Sequence, residues 1–369
     1  MNRPFSFYEL LGGEKNVQTL IDLANEKYNN TSWKGHLDWD TPQMNLTFSV
    51  LTSESNLAPM ASVIDVNSPK PLRSADGYGG YTGAIPKIGH GFDIVEQAMR
   101  DQQVIYGKGG LVDVSVLADI LFNSVDKLIA GAHGRLNYMD DQVRSTGKLI
   151  IDTTNNVDGI TLEVKYHVPE SNYKKAGFGQ TSKKAWSDAD ADPIQDLIDM
   201  VAFADDHSIV YDVIEMSKTL FNAFCNHPKV LSWVRNRMRI ADNVSYPLGK
   251  NEILAALDGY GSLPSVVVYD GKQGMESDGV VSSVKGFDEG NVVLRPSVVG
   301  KMKNAISMHT LAPSTPDNLR TTIEDGRIAI LNHWDAIKLV NHIELEGYAI
   351  PTLSNPKNLV ILDTTEADA

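Results

Sequence analysis

The chain has 369 residues, a formal net charge of −14 and one cysteine, Cys225. That acidity speaks against tracking nucleic-acid phosphates, since contact would meet repulsion rather than release counterions. A lone cysteine excludes an internal disulfide and favours a reducing compartment. No apolar run reaches the roughly 18 residues that suggest a membrane span, and Met1–Leu11 lacks the basic start and apolar run of a secretory signal. The length suffices for a large core and two subdomains.

Residues 15–28 carry Val17, Leu20, Ile21 and Leu23/Ala24 at helical spacing. The irregular stretch 29–43 then brings Trp33 and Trp39. Paired tryptophans outside a periodic element dock on something, whether their own core or a partner, and residues 1–50 read as an arm. Residues 51–91 alternate prolines and glycines around a strand signal at 61–66 and a short apolar stretch at 84–88. A loop this long without structure of its own is uncommon inside a compact domain, so an extended two-stranded projection is predicted. The run Gly77-Tyr-Gly-Gly-Tyr-Thr-Gly83 lacks the spacing and strand-to-helix context of a phosphate loop. A short helix is predicted over 92–106.

The chain is organised around residues 111–144. Leu117, Ile120, Leu121, Val125, Leu128, Ile129, Ala132, Leu136, Met139 and Val143 trace one helical face. Asp119, Asn123, Asp126, Lys127, Arg135, Asp140 and Asp141 are assigned to the other. At about 1.5 Å per residue this helix is about 50 Å long, with Gly131 and Gly134 as places for a bend. Its broad stripe suits packing on a sheet better than a two-stranded coiled coil. Strand signals at 148–152 and 160–168 flank an Asn-Asn-Val-Asp-Gly turn, and others at 327–332, 338–345 and 359–363 would join them in one sheet with 190–320 inserted.

Within 186–199, Asp188, Asp190 and Asp192 have the alternate spacing that opens a calcium loop, but Pro193 stands where that loop needs glycine. Asp192 as a helix cap with Pro193 in the first turn is the better reading. Helices are predicted over 194–203, 213–224, 229–239 and 251–257, with 207–212 as an intervening strand. Strands are predicted at 265–269 and 291–295, and 271–290 reads as a polar glycine-bearing loop. The basic clusters Lys174-Lys175, Lys183-Lys184 and Arg235/Arg237/Arg239 read as solvated surface or subunit contacts.

No catalytic or metal-binding constellation stands out. There is no Gly-x-Ser-x-Gly, His-Glu-x-x-His or Walker loop, and the nine histidines are scattered. His227 beside Cys225 is too close in sequence to present a base to a thiol, so an inert Cys225 is expected. An arm, a projection, a long helix on a sheet and an inserted subdomain describe a flat body with limbs. Limbs that bury little of their own surface bury it on neighbours.

Certain stretches resemble those of tailed-phage major capsid proteins of the lambda capsid protein E type, the shell fold often called Hong Kong ninety-seven-like. They are Ile85-Pro-Lys-Ile88, the helix over 111–144, Trp186 with Asp192, Pro193, Asp196 and Leu197, Asn291-Val-Val-Leu-Arg-Pro296 followed by Gly300, and Ile350-Pro351 with Asn355-Pro-Lys-Asn-Leu-Val360. The resemblance runs from about residue 50 to the end and implies an α+β fold in four parts. These are an N-terminal arm (1–50), an extended β loop (51–91), a peripheral domain with the spine helix on a sheet (92–187 and 323–369) and an inserted axial domain (188–322). It implies a non-enzymatic structural protein without cofactor or metal, assembled in the host cytoplasm and found in the virion. Hexamers and pentamers of it would form an icosahedral shell around double-stranded DNA, which it meets by non-specific proximity. Other partners would be a separate scaffolding protein, a portal and a decoration protein, with no membrane. Candidate subunit contacts are Trp33, Trp39, Lys70, Arg73, Tyr78, Tyr81 and Lys87. Lys70 and Lys87 lie in the projecting loop, but no motif assigns a partner asparagine, so no covalent cross-link is expected. The competing reading is a soluble two-lobed αβ hydrolase or binding protein with a flexible lid at 68–91.

Overall fold

The structure, a computed structural model, describes residues 14–53, 60, 78–95, 97, 100, 114–157, 159–240, 248–258, 260, 263–277, 279–315, 318–335, 337–338 and 340–368, with backbone alone at 53, 78 and 114–121. The strand signal at 61–66 and most of the helix predicted over 92–106 lie outside the described residues.

Helix α1 (Glu14–Glu26) turns Val17 and Ile21 inward. A 3-10 turn (Ser32–Gly35) and strand β1 (Leu37–Trp39) follow. Strands β2 (Thr47–Ser53) and β3 (Tyr78–Ala84) form an antiparallel two-stranded ribbon. A two-stranded ribbon is therefore present; β3 meets the 84–88 signal at Ala84 alone. Strand β4 (Lys87–Val95) comes next, so residues 92–95 are extended, not helical. Helix α2 (Val114–Thr146) is the long spine.

Two short strands, β5 (Lys148–Ile151) and β6 (Leu162–Lys165), pair only with each other and do not join the C-terminal strands in one sheet. After β7 (Tyr173–Ala176) comes α3 (Pro193–Asp206), begun as expected: Asp192 accepts a hydrogen bond from the Gln195 amide at 3.1 Å, and Pro193 occupies the first turn. Gln195 itself reaches forward to Asp199 at 2.8 Å rather than back to the cap.

Residues 213–224 are not one helix. They divide into β8 (Val213–Ser217) and α4 (Lys218–Asn226), with Ser217 capping the helix by accepting from the Leu220 amide at 3.1 Å. No strand forms over 207–212. Helices α5 (Pro228–Arg237) and α6 (Lys250–Asp258) lead to β9 (Ser265–Tyr269). The predicted loop 271–290 contains a hairpin, β10 (Gln273–Ser277) and β11 (Val280–Val284). The remainder is β12 (Asn291–Arg295), β13 (Gly300–Ala305), the single turn α7 (Met308–Leu311), β14 (Asn318–Ile323), β15 (Ile328–Asp335), β16 (Val340–Leu353) and β17 (Val360–Ala367).

These strands make two main sheets. The first has the order β1-β13-β16-β15-β14, with β4 on the other side of β16. Strand β16 is long enough to pair with β15 and β13 in succession while β4 covers Val340–Tyr348. The spine helix lies on β16 and β4. Leu128, Ile129, Leu136 and Met139 are sealed in that core, each side chain contributing about 1.5–3 kcal/mol of apolar burial.

The second sheet has the order β7-β17-β12-β8-β9. Val293 and Ile361 face the first core, whereas Val292, Leu294, Val360 and Leu362 face a second core built with α3–α6. A sheet buried on both faces reads as continuous apolar runs, which explains Val292-Val293-Leu294 and Val360-Ile361-Leu362. Met302, Ala305 and Leu319 also belong to the first core. The break expected at 322 therefore does not coincide with the change of core.

Gly131 marks a close approach. The His90 ring rests against it, its Nε2 donating to the Leu128 carbonyl at 2.9 Å, and a Cβ on Gly131 would lie 2.4 Å from that ring. The glycine makes the notch by which β4 seats on the spine.

Candidate assembly surfaces and the buried charge joint

The described part of the ribbon is anchored at its base. Phe48 and Tyr81 are buried, edge to face, with ring centroids 6.1 Å apart. Tyr81 also meets Tyr166 edge-on at 5.1 Å and donates its hydroxyl to the Leu353 carbonyl at 2.8 Å. The glycines that resembled a phosphate loop have a packing role. Phe48 lies over its cross-strand partner Gly83, where a Cβ would come within 2.7 Å of the ring, and a Cβ on Gly80 would meet the Val50 carbonyl at 2.5 Å. Farther out, Leu51 is 79% exposed.

The contact candidates separate accordingly. Trp33 is fully buried: its backbone N–H donates to Asn137 Oδ1 at 2.9 Å and its indole to His133 at 3.2 Å. Half-buried Trp39 meets Trp33 edge-on at 5.0 Å and donates to Glu324 at 2.9 Å. Trp33 and Tyr81 are therefore core residues rather than contacts. They were the anchors of segments read as limbs, and each limb buries its aromatics in its own body. Lys87 stays half exposed and pairs with Glu346 at 2.5 Å, which raises its pKa. Lys70, Arg73 and the Tyr78 side chain lie outside the described residues; the Tyr78 backbone opens β3 opposite Ser53.

Sequence reasoning missed other apolar surface. Met308 and Leu311 on α7, Val280 and Val281 on β11, and Ile160 before β6 are each more than half exposed. The adjacent valines were the available signal, since neighbours on a strand face opposite ways and both can be exposed only on a two-sided projection. Three lysines of the basic clusters are paired within the chain: Lys175 with Glu366 at 2.6 Å, Lys183 with Asp368 at 3.1 Å and Lys184 with Asp190 at 3.0 Å.

Where the spine helix meets the second sheet lies a buried charge joint. Asp140 and Asp141, assigned by periodicity to a solvent face, are buried with Arg144. Arg144 donates to Asp140 at 3.0 Å and Asp141 at 2.6 Å, and also to Glu215 of β8. Glu215 accepts from Arg295 of β12 at 2.5 Å, and Asp141 from Tyr269 at 2.8 Å. His36 sits 3.1 Å from Asp140. Burial alone would raise Glu215, but the two guanidiniums outweigh it and hold the carboxyl at about 2. For Asp141 burial prevails over Arg144, and the carboxyl is pushed up to about 7. Such a cluster costs desolvation and returns it only if every member is paired, so it fixes how the two cores meet more than it adds stability.

No group of three or more His, Cys, Asp or Glu residues able to hold a metal is found among the described residues. Burial pushes the Cys225 thiol up to about 11, away from a reactive thiolate. His227 is instead the cap of α5, with Nδ1 accepting from the Lys229 amide at 3.3 Å and Nε2 against the Asp188 carbonyl at 3.0 Å.

The sequence model of the phage major capsid protein E family matches residues 25–326. The chain belongs to that family: it is a phage major capsid protein, a structural component of the virion shell. A crystal structure of a phage-related protein from Bordetella bronchiseptica RB50 is similar over 94% of this chain and 97% of its own, at 13% identity and a TM-score of 0.50. A putative capsid protein of an E. coli CFT073 prophage is similar over 77% of this chain and 79% of its own, at 16% identity and a TM-score of 0.49. No curated protein matches the sequence. The α+β shell fold expected from the resemblance is the one found, and the lidded-hydrolase reading is not favoured.

Proposed function

We propose that this capsid protein closes an icosahedral shell from hexamers and pentamers of itself around double-stranded DNA, with no enzymatic activity of its own. Assembly takes place in the host cytoplasm on a separate scaffolding protein, beside a portal, and a decoration protein is added to the finished surface. In this reading the first core and its sheet form the peripheral part of the subunit, and the second core forms the axial part around the symmetry axes. DNA is met by non-specific proximity, in keeping with a net charge of −14 and with lysines already paired to the chain's own carboxylates.

The observation that carries the reading is the β2–β3 ribbon. It is stapled to the body at Phe48 and Tyr81 and exposes Leu51 beyond the staple. A two-stranded ribbon is at best marginal alone in water, so its outer part gains stability by lying on a neighbour. A stable interface buries about 1,600 Å², and each subunit would make several. Electron microscopy with sedimentation, on protein expressed alone and with the neighbouring phage genes, tests this. Closed shells or five- and six-membered rings are expected. A monodisperse monomer or dimer under both conditions would overturn it.

A further inference from the structure

Among the contacts that hold the N-terminal segment on the spine helix is a buried histidine whose proton is assigned by its neighbours. His133 lies inside the first core, sandwiched between Tyr28 at 5.1 Å and Trp33 at 6.1 Å, both rings nearly parallel to it. The Trp33 indole is only a donor, and it points at Nδ1 from 3.2 Å. Nδ1 must therefore be the bare nitrogen, and Nε2 carries the hydrogen, donating to Asn25 Oδ1 at 3.1 Å. The Asn25 amide in turn donates to Glu324 at 3.0 Å. Glu324 also accepts from Lys34 at 2.7 Å and Trp39 at 2.9 Å. It sits at φ 52° in the turn between β14 and β15, a conformation that side-chain-bearing residues seldom adopt. Four elements thus meet at one neutral imidazole and one carboxylate: α1, the stretch 32–39, the spine and the β14–β15 turn.

We propose that His133 is an acid-sensitive latch: a second proton on its ring, placed at Nδ1 against the Trp33 indole N–H, releases residues 14–39 from the spine helix. The protonated ring would set donor against donor in a site where both rings are buried, while the Glu324 carboxylate lies 3.5 Å from Nε2 on the other side. Burial, the largest influence, holds the His133 pKa down to about 4, with Glu324 opposing and Lys34 assisting. A released His133 would titrate near the ordinary value of about 6.5. Release therefore takes up one proton between these values, and the closed-to-open ratio falls by up to about tenfold per pH unit as the pH drops from about 6.5 to about 4. Above that window the latch is fully closed.

Other titratable groups face the segment. His36, against Asp140 and near Arg144 and Arg295, is also depressed by burial and adds to the same response. Glu324 is depressed because its hydrogen bonds outweigh burial, so its contribution is lost only at lower pH, on falling through its own range. Lys27 and Tyr28 face Asp126 of the spine, and burial raises the Tyr28 pKa, so Tyr28 does not change charge in the window.

The test is hydrogen exchange on the full unassembled chain at pH 7 and pH 5, corrected for the intrinsic rate. Amides of 14–39 should lose protection by tenfold or more relative to amides of β8 in the second core. His133→Gln, which can still accept from Trp33 and donate to Asn25, should flatten that response, while His36→Asn should leave most of it. If His133→Gln fails to fold, Trp33→Phe, which removes the opposing donor, should make the response shallower. Equal protection of wild-type residues 14–39 at the two pH values overturns the proposal. So does a response abolished by His36→Asn and unchanged by His133→Gln. The measurement uses free subunits, so its failure leaves the shell reading untouched.

Discussion

The N-terminal segment and the β2–β3 ribbon have similar sequences, polar and irregular with aromatics at intervals, and they end up differently. The first is body. Val17, Ile21, Trp33 and Leu37 are buried, and β1 adds a parallel strand beside β13. Among the described residues the second is body at Phe48 and Tyr81, with Val50 packed against the same core, while Leu51 is exposed. The difference lies in what each aromatic finds. Trp33 has an acceptor on the spine, His133 Nδ1, and a backbone partner in Asn137. The ribbon past Tyr81 has Gly80 and Gly79 in place of side chains that could dock, and Leu51 faces solvent. A tryptophan outside a periodic element therefore says that something is buried; only the partner's position says whether it is a neighbour's surface or the chain's own.

Substitutions should separate the two regions, and the largest effect belongs to the body. Arg144→Met removes the guanidinium that touches all three of Asp140, Asp141 and Glu215. Breaking a buried pair in this way costs about 3–5 kcal/mol, read as a lower denaturation midpoint in urea. Trp33→Ala should cost a comparable amount, about 3–5 kcal/mol, and loosen 14–39 specifically by hydrogen exchange.

Smaller effects follow at the joints. Gly131→Ala improves helix propensity by about 1 kcal/mol, yet its methyl would lie 2.4 Å from the His90 ring. Overpacking costs about 1–3 kcal/mol, so thermal denaturation should show a net loss, and a stabilised variant would mean that β4 is not seated there. Tyr81→Phe deletes the hydroxyl that donates to the Leu353 carbonyl and should cost about 1 kcal/mol. Leu51→Ser should change stability by less than about 0.5 kcal/mol while reducing shell yield, since its site is exposed in the free subunit.

Much of this architecture was legible in the sequence. Spine-helix periodicity named Val125, Leu128, Ile129, Ala132, Leu136, Met139 and Val143, all of them buried. The Asp192-Pro193 helix start was legible because capping is local chemistry. Residues 213–217 were not, because β8 is buried on both faces and hides even Glu215, so no alternation survives. Phe92–Val95 became strand because β16 supplies its hydrogen-bond partners from Val340 to Ile343, a contact about 250 residues away that no local window contains. Asp140 and Asp141 were placed in solvent by a rule that looks only at polarity. Their spacing of four and three to Arg144 was the missed signal for a paired cluster. Trp33 and Tyr81 were offered as contacts for the same reason: aromatics in irregular segments show burial without showing whose.

The most direct test replaces residues 54–77 with a four-residue turn joining Ser53 to Tyr78, which already face each other across the ribbon. Thermal denaturation and sedimentation are then measured on the same preparation, with the neighbouring phage genes co-expressed. The account predicts a subunit melting within about 3 °C of the parent that sediments as monomers or small oligomers and forms no shells. Normal shells from this variant would contradict the claim that the ribbon is the limb on which assembly depends.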